Sequence, residues 1–268
     1  MPRRLRLLVR PSLWGLAFAH YLRSWWYMFH LGAIALVTAL SPSTYNRGNR
    51  LATARYIHAS TWQVLPWFTV LSALISLVII RIVMVTASSY GLSRYALEMV
   101  VRVLVLELIP LSAALFTALR SSMAFDATAL GLARRGLPTL EVNAEALRRL
   151  RRDLVPQLFA NAFSVLGLAM VSSTVVLLLA YLAVYGVSPW GLQDYTRTVG
   201  RVFDPVVTLG FVLKTVLFGL AVAVIPTAAI LELQRYPRRL ASSVQPGALR
   251  LLFMLLLIEG SSLALKYI

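Results

Sequence analysis

The chain has 268 residues, 59% of them hydrophobic and only 13% charged, with a mean hydropathy of +0.76 and a net charge of +16. A soluble protein of this size exposes too much surface to be so apolar, so an ordinary soluble domain is excluded and an integral membrane protein is indicated. All but two of the 26 basic residues are arginine, and most lie beside apolar runs, where anionic headgroups and the positive-inside rule explain them more simply than nucleic acid does.

The N-terminal stretch carries Arg3, Arg4, Arg6 and Arg10 but no small-residue cleavage site behind a compact apolar core, so a cleaved signal peptide is not expected. Segment 25–40 is apolar yet short for a membrane span. With Trp14, Trp25, Trp26 and Tyr27 near basic residues, 1–40 reads as a membrane-surface helix followed by a shallow or re-entrant segment. The alternative, a sixth spanning helix, breaks the charge rule. Residues 1–60 are therefore set apart as an interfacial N-terminal segment, and 61–268 as a five-helix transmembrane domain.

Five runs are long enough to cross a hydrocarbon core of about 30 Å: 61–87, 96–119, 154–186, 205–231 and 247–267. Their connections alternate in charge. Segment 41–60 holds Arg47, Arg50 and Arg55. Connection 120–153 holds Arg120, Arg134, Arg135, Arg148, Arg149, Arg151 and Arg152, and connection 232–246 holds Arg235, Arg238 and Arg239. Connections 88–95 and 187–204 hold only Arg94, and Arg197 with Arg201. Five spans with a cytoplasmic N-terminus satisfy every connection. The fold class is thus all-α integral membrane, with five spans and an N-terminal interfacial helical segment. Within 131–153, Asn143 suits a helix cap, Glu145 the first turn and Arg148 to Arg152 the last. Leu147, Leu150 and Leu154 share one face, which makes a docking surface for a cytoplasmic partner or a helix lying on anionic lipid.

Charges inside spans are costly, about 2.5–3.5 kcal/mol each at mid-bilayer on insertion scales. Glu107, Lys214 and Glu259 fall on three different spans, and two carboxylates with one ammonium can pair within a bundle. They are either static pins between helices or a polar pathway. Glu98 and Arg102 stand four apart, in the favourable order for an ion pair. Pro110, three residues after Glu107, removes the hydrogen bond to the carbonyl of Leu106 and is expected to kink the helix. Pro226 acts likewise in the fourth span, so both are candidate hinges. Asp204-Pro205 reads as a helix start. His20, His30 and His58 have no ligand spacing, there is no cysteine, and no nucleotide-binding or hydrolase motif occurs. No metal site, no cofactor and no catalytic residue are expected in this chain.

Several ordered stretches carry a family resemblance. LELIPLSAALFTALRSSMAFDATALG, within 104–131, resembles the signature of the MlaE/YrbE permeases, R-E-L-x-P followed by G-R-x-G-S-x-x-x-A-E-x-G. Glu107, Pro110, Arg120 and Gly131 fall on its Glu, Pro, Arg and closing Gly. ALRRL (146–150) resembles the family's D-P-L-R-R-L. LKTVLFGL (213–220) places Lys214 on its membrane lysine, and LLLIEGSSLALKY places Glu259 where the family usually has Asp. The resemblance covers about 90–268. The chain departs from the pattern at Leu106, which replaces Arg, at Thr128 or Ala129, which replaces Glu, and at Leu137-Pro138, where a Glu-Gln pair usually stands.

The resemblance implies a divergent permease subunit of an ABC transporter that moves phospholipids or related lipids between the inner membrane of a bacterium and a periplasmic MCE-domain partner. It implies a homodimer or a heterodimer with a related permease, and a separate cytoplasmic ATPase that binds the ATP. Arg134, Arg135, Leu137, Glu141, Leu147 and Arg148 are the expected ATPase-coupling residues. Glu107, Lys214, Glu259, Arg102 and Glu98 are the expected intramembrane or substrate-pathway charges. Two other readings remain open, an ion-coupled secondary carrier and a non-transporting scaffold paired with a more typical permease.

Overall fold

The computed structural model describes residues 25, 26, 30, 32, 33, 37, 47–134, 155–235 and 246–267. Among these the secondary structure is all helix, joined by short turns, without strands. Helix α1 (Arg47–Ile57) passes through a π-helical turn (His58–Trp62) into α2 (Leu65–Ser89). Helix α3 (Ser93–Val100) passes through a second π-helical stretch (Val101–Leu108) into α4 (Ile109–Arg134). Then follow α5 (Val155–Tyr185), α6 (Leu192–Val202), α7 (Pro205–Arg235) and α8 (Pro246–Tyr267).

Five helical stretches are long and apolar enough to span: Thr53–Ser89, Tyr95–Ser121, Pro156–Tyr185, Pro205–Ala229 and Gly247–Leu265. They coincide with the runs expected from the sequence, except that the first begins earlier. Helix α1 packs on α5 and leads directly into the π-helical turn that crosses residue 60, so the described end of the N-terminal segment is continuous with the first span. Trp25 meets the Phe253 ring edge-on at 6.0 Å, and a side chain on Gly32 would meet Val224 at 2.9 Å. Those partners stand within two turns of the ends of their spans, at the side of the bundle where the arginine-rich connections leave.

The α2 terminus shows why the first turn is tight. Gly91 takes φ +69°, Leu92 N–H donates to the Ala87 carbonyl at 2.7 Å, and Gly91 N–H donates to Ser88 at 3.1 Å. This paired closure satisfies carbonyls that a helix end leaves open, and glycine adopts the left-handed residue without a Cβ penalty. In the connection between α5 and α7, α6 packs against α3 and the π-helical stretch after it. Its Tyr195, Val199 and Val202 face the core formed with Val101, Leu104 and Val176, while Arg197 and Arg201 lie on its other side.

Helix α5 is the centre of the bundle, touching α1, α2, α4 and α7. Its buried face is built of small residues, Ala160, Ser164, Ala169, Ser172 and Ala180. In a bilayer, lipid competes for apolar contact as well as leucine does, so close backbone approach through small residues drives helix association. The tightest approach is at Gly219 of α7, where a Cβ would sit 2.9 Å from the Ala162 carbonyl oxygen of α5. The large apolar side chains of α2 and α8, including Leu74, Val78, Ile82, Phe253 and Leu256, are exposed on the outside.

Candidate functional site

Lys214, Glu107 and Glu259 meet in the interior. Lys214 is only 3% exposed, and its ammonium donates a hydrogen bond to Glu107 Oε2. The same nitrogen lies 3.1 Å from Glu259 Oε2 and 3.4 Å from Oε1, and 5.9 Å above the Phe218 ring. The closer approach to Oε2 is poorly aligned, and that oxygen accepts no hydrogen bond in the structure. Three helices supply the cluster: the π-helical stretch before α4, then α7 and α8. Lys214 lies roughly 14 Å along its span at a helical rise of ~1.5 Å per residue. The cluster is therefore near mid-depth, somewhat toward the side of connections 88–95 and 187–204.

The local sequence explains how Glu107 is presented. Pro110 lacks an N–H and its ring crowds the carbonyl four residues before it. The chain responds by widening: residues Val101–Leu108 are π-helical, and Ile109 N–H reaches back five residues to the Leu104 carbonyl. The wide stretch gives the ring room and carries Glu107 inward with Leu104, Val105 and Leu106 buried around it. Instead of a bare kink, Pro110 comes with a change of helical pitch. Pro226 lies inside the continuous helix α7.

Two carboxylates around one ammonium make a site with a formal surplus of one negative charge. The ammonium is compensated, as a buried cation must be. Glu259 Oε2 is buried in the same interior without a hydrogen-bond partner. Glu98 and Arg102 form a separate pair, with Nη2 to Oε1 at 2.8 Å and Nε to Oε1 at 3.1 Å, on an exposed part of the helix. Arg134 is the last residue of α4. Arg135, Leu137, Glu141, Leu147 and Arg148, with the helix cap at Asn143, lie outside the described residues.

Two features were not singled out from the sequence. Phe218 follows Lys214 by one helical turn, and that spacing in LKTVLFGL puts the ring on the ammonium's face. Arg120 counted there as a basic residue of connection 120–153 and as the Arg of the family signature, with no contact assigned to it. It instead stands inside α4 and reaches across to the first π-helical turn, donating to the Ala59 carbonyl at 2.6 Å and the Ser60 carbonyl at 3.1 Å. Ser164 of α5 donates to the same Ser60 carbonyl at 3.1 Å. A contact spanning sixty residues has no local periodicity to reveal it.

One family model, described as Permease MlaE, matches residues 53–263 of this chain. No curated protein and no solved structure matches it.

Proposed function

The chain belongs to the MlaE permease family, membrane permeases of ABC-type lipid transport, and from that premise we propose that it is the membrane subunit through which phospholipids or related lipids pass. It is a multi-pass membrane protein and a transport subunit rather than an enzyme. In the proposal two copies, or one copy and a related permease, enclose the lipid path in a bacterial inner membrane. A separate ATPase on the arginine-rich side drives the cycle, and an MCE-domain protein on the other side exchanges the lipid.

The observation that carries this reading is the buried Glu107–Lys214–Glu259 cluster, held by three spans near mid-depth. A bundle that needed only to be stable in lipid would gain little from three ionisable groups there. The surplus carboxylate and the unpartnered Glu259 oxygen suit contact with a donor on a lipid headgroup. ATPase action moves lipid only if one conformation of this path binds it better than the other.

Reconstitution of the purified permease with its ATPase and MCE partners, followed by transfer of a fluorescent phospholipid, tests the proposal. Glu107→Gln and Lys214→Met are expected to abolish transfer while the complex still assembles. Transfer at wild-type rate in both variants would remove the cluster from the path, and loss of assembly would make it a static pin.

A further inference from the structure

A second polar site lies at the arginine-rich end of the bundle, away from the ion cluster. It is a cavity of about 170 Å³ between the first π-helical turn, α4 and α5, lined by Arg120, Asn161, Thr117 and Gln157 with Phe116 and Leu168 among its apolar walls. We propose that this pocket binds the phosphate group of a phospholipid from the leaflet on that side.

The donors point to an anion. The Arg120 guanidinium has five N–H donors and uses two of its nitrogens on the Ala59 and Ser60 carbonyls, so it is fixed in place with capacity to spare. Asn161 is 8% exposed and its Nδ2 has no hydrogen-bond partner; Thr117 is 4% exposed and its hydroxyl has none. Buried polar groups of native proteins are nearly always paired, so two unpaired ones lining a single cavity mark a missing acceptor. Among the described residues no carboxylate lines the pocket, and Arg120 gives it a positive charge.

The position favours a lipid over a free ion. Arg120 and Gln157 stand next to the ends of their spans, and Ala59 lies within two turns of the end of the first. That is headgroup depth rather than the hydrocarbon centre. The cavity is several times the ~30 Å³ of one water, enough for a phosphodiester and too small for acyl chains. Its apolar walls continue toward the membrane interior through Val64 and Leu168, where glycerol and the first methylenes would follow. Tyr56, also in the lining, is exposed and leaves a route from the bundle surface.

The inference needs only the membrane-spanning fold, so it stands or falls separately from transport. The full chain in mild detergent is titrated with dihexanoyl phosphatidylglycerol, with dihexanoylglycerol, which lacks the phosphate, and with inorganic phosphate, by native mass spectrometry. The phosphatidylglycerol is expected to bind most tightly. Asn161→Asp, which keeps shape and adds like charge, is expected to weaken it at least tenfold, and Thr117→Val severalfold. Gly210→Ala, where nothing lies within 4 Å of the added methyl, is expected to leave it unchanged. Thr117→Val, nearly isosteric, carries the test if Asn161→Asp does not fold. Equal binding of dihexanoylglycerol, no effect of either substitution, or no binding at all overturns the proposal. Inorganic phosphate binding as tightly as the lipid overturns the lipid assignment. Intact binding with failed transfer counts against the transport reading alone.

Discussion

At the scale of single residues, Lys214 is the most consequential. Removing one member of a buried ion pair costs about 3–5 kcal/mol, because the remaining charge is stranded. Lys214→Met strands two carboxylates at once, so its unfolding midpoint in detergent is expected to fall furthest of the three single substitutions. The charge-free triple variant Glu107→Gln, Lys214→Met, Glu259→Gln is expected to regain most of that stability and still transfer no lipid. A triple variant as unstable as Lys214→Met would show that the ion pairs themselves hold the helices. Tyr195 makes a pH prediction. Its hydroxyl donates to the Leu177 carbonyl at 2.8 Å, and burial pushes the phenol up to about 12. The folded protein thus holds this proton more tightly than the unfolded chain, whose tyrosine titrates near 10. The stabilisation is complete below about pH 10 and is lost as pH rises toward about 12. The midpoint measured between pH 9 and 12 should therefore fall less steeply in Tyr195→Phe, and an unchanged slope would contradict the assignment.

At the scale of elements, the bundle depends on how closely α5 and α7 approach. Gly219→Ala places a methyl 2.9 Å from backbone of α5, which cannot rotate away as a side chain can. The helices must separate, and the substitution is expected to lower the unfolding midpoint and to disturb the adjacent Phe218 and, a little over one turn away, Lys214. Gly210→Ala on the same helix is the control. Nothing lies within 4 Å of its Cβ position, so it is expected to be neutral or stabilising by about 0.4–1 kcal/mol through reduced freedom of the unfolded chain. Equal effects at the two glycines would show that close packing at Gly219 is unimportant. The π-helical stretches belong to this scale too. One accommodates Pro110 and turns Glu107 inward; the other presents the carbonyls of Ala59 and Ser60 to Arg120. Single π turns within α-helices recur at functional sites, and here both adjoin the polar groups of the bundle.

At the scale of the molecule, five spans place consecutive connections on opposite sides. By the positive-inside rule, connection 120–153 is expected in the cytoplasm and connection 187–204 outside. The chain has no cysteine, so single introduced thiols report topology without background. Trp190→Cys, at a residue 91% exposed in the outer turn, is expected to react with a membrane-impermeant maleimide in intact cells. Arg135→Cys is expected to react only after permeabilisation. The reverse pattern would invert the orientation, and labelling of both from one side would overturn the five-span parity.

Span number and position followed from hydropathy because a bilayer imposes one rule on every spanning segment: enough consecutive apolar residues, with every backbone group bonded inside the helix. The intramembrane charges stood out for the same reason, since Glu107, Lys214 and Glu259 are conspicuous wherever their neighbours are leucine and valine. Their distances, the choice of Glu107 as the close partner, and the poorly aligned Glu259 oxygen depend on the relative rotation of three helices distant in sequence. So do the Arg120 contacts, the Gly219 approach and the cavity beside Asn161. Helical periodicity orders residues along one axis and says nothing of how two axes are turned against each other. That turn is set by small residues along the whole length of the buried interfaces, and only packing resolves it.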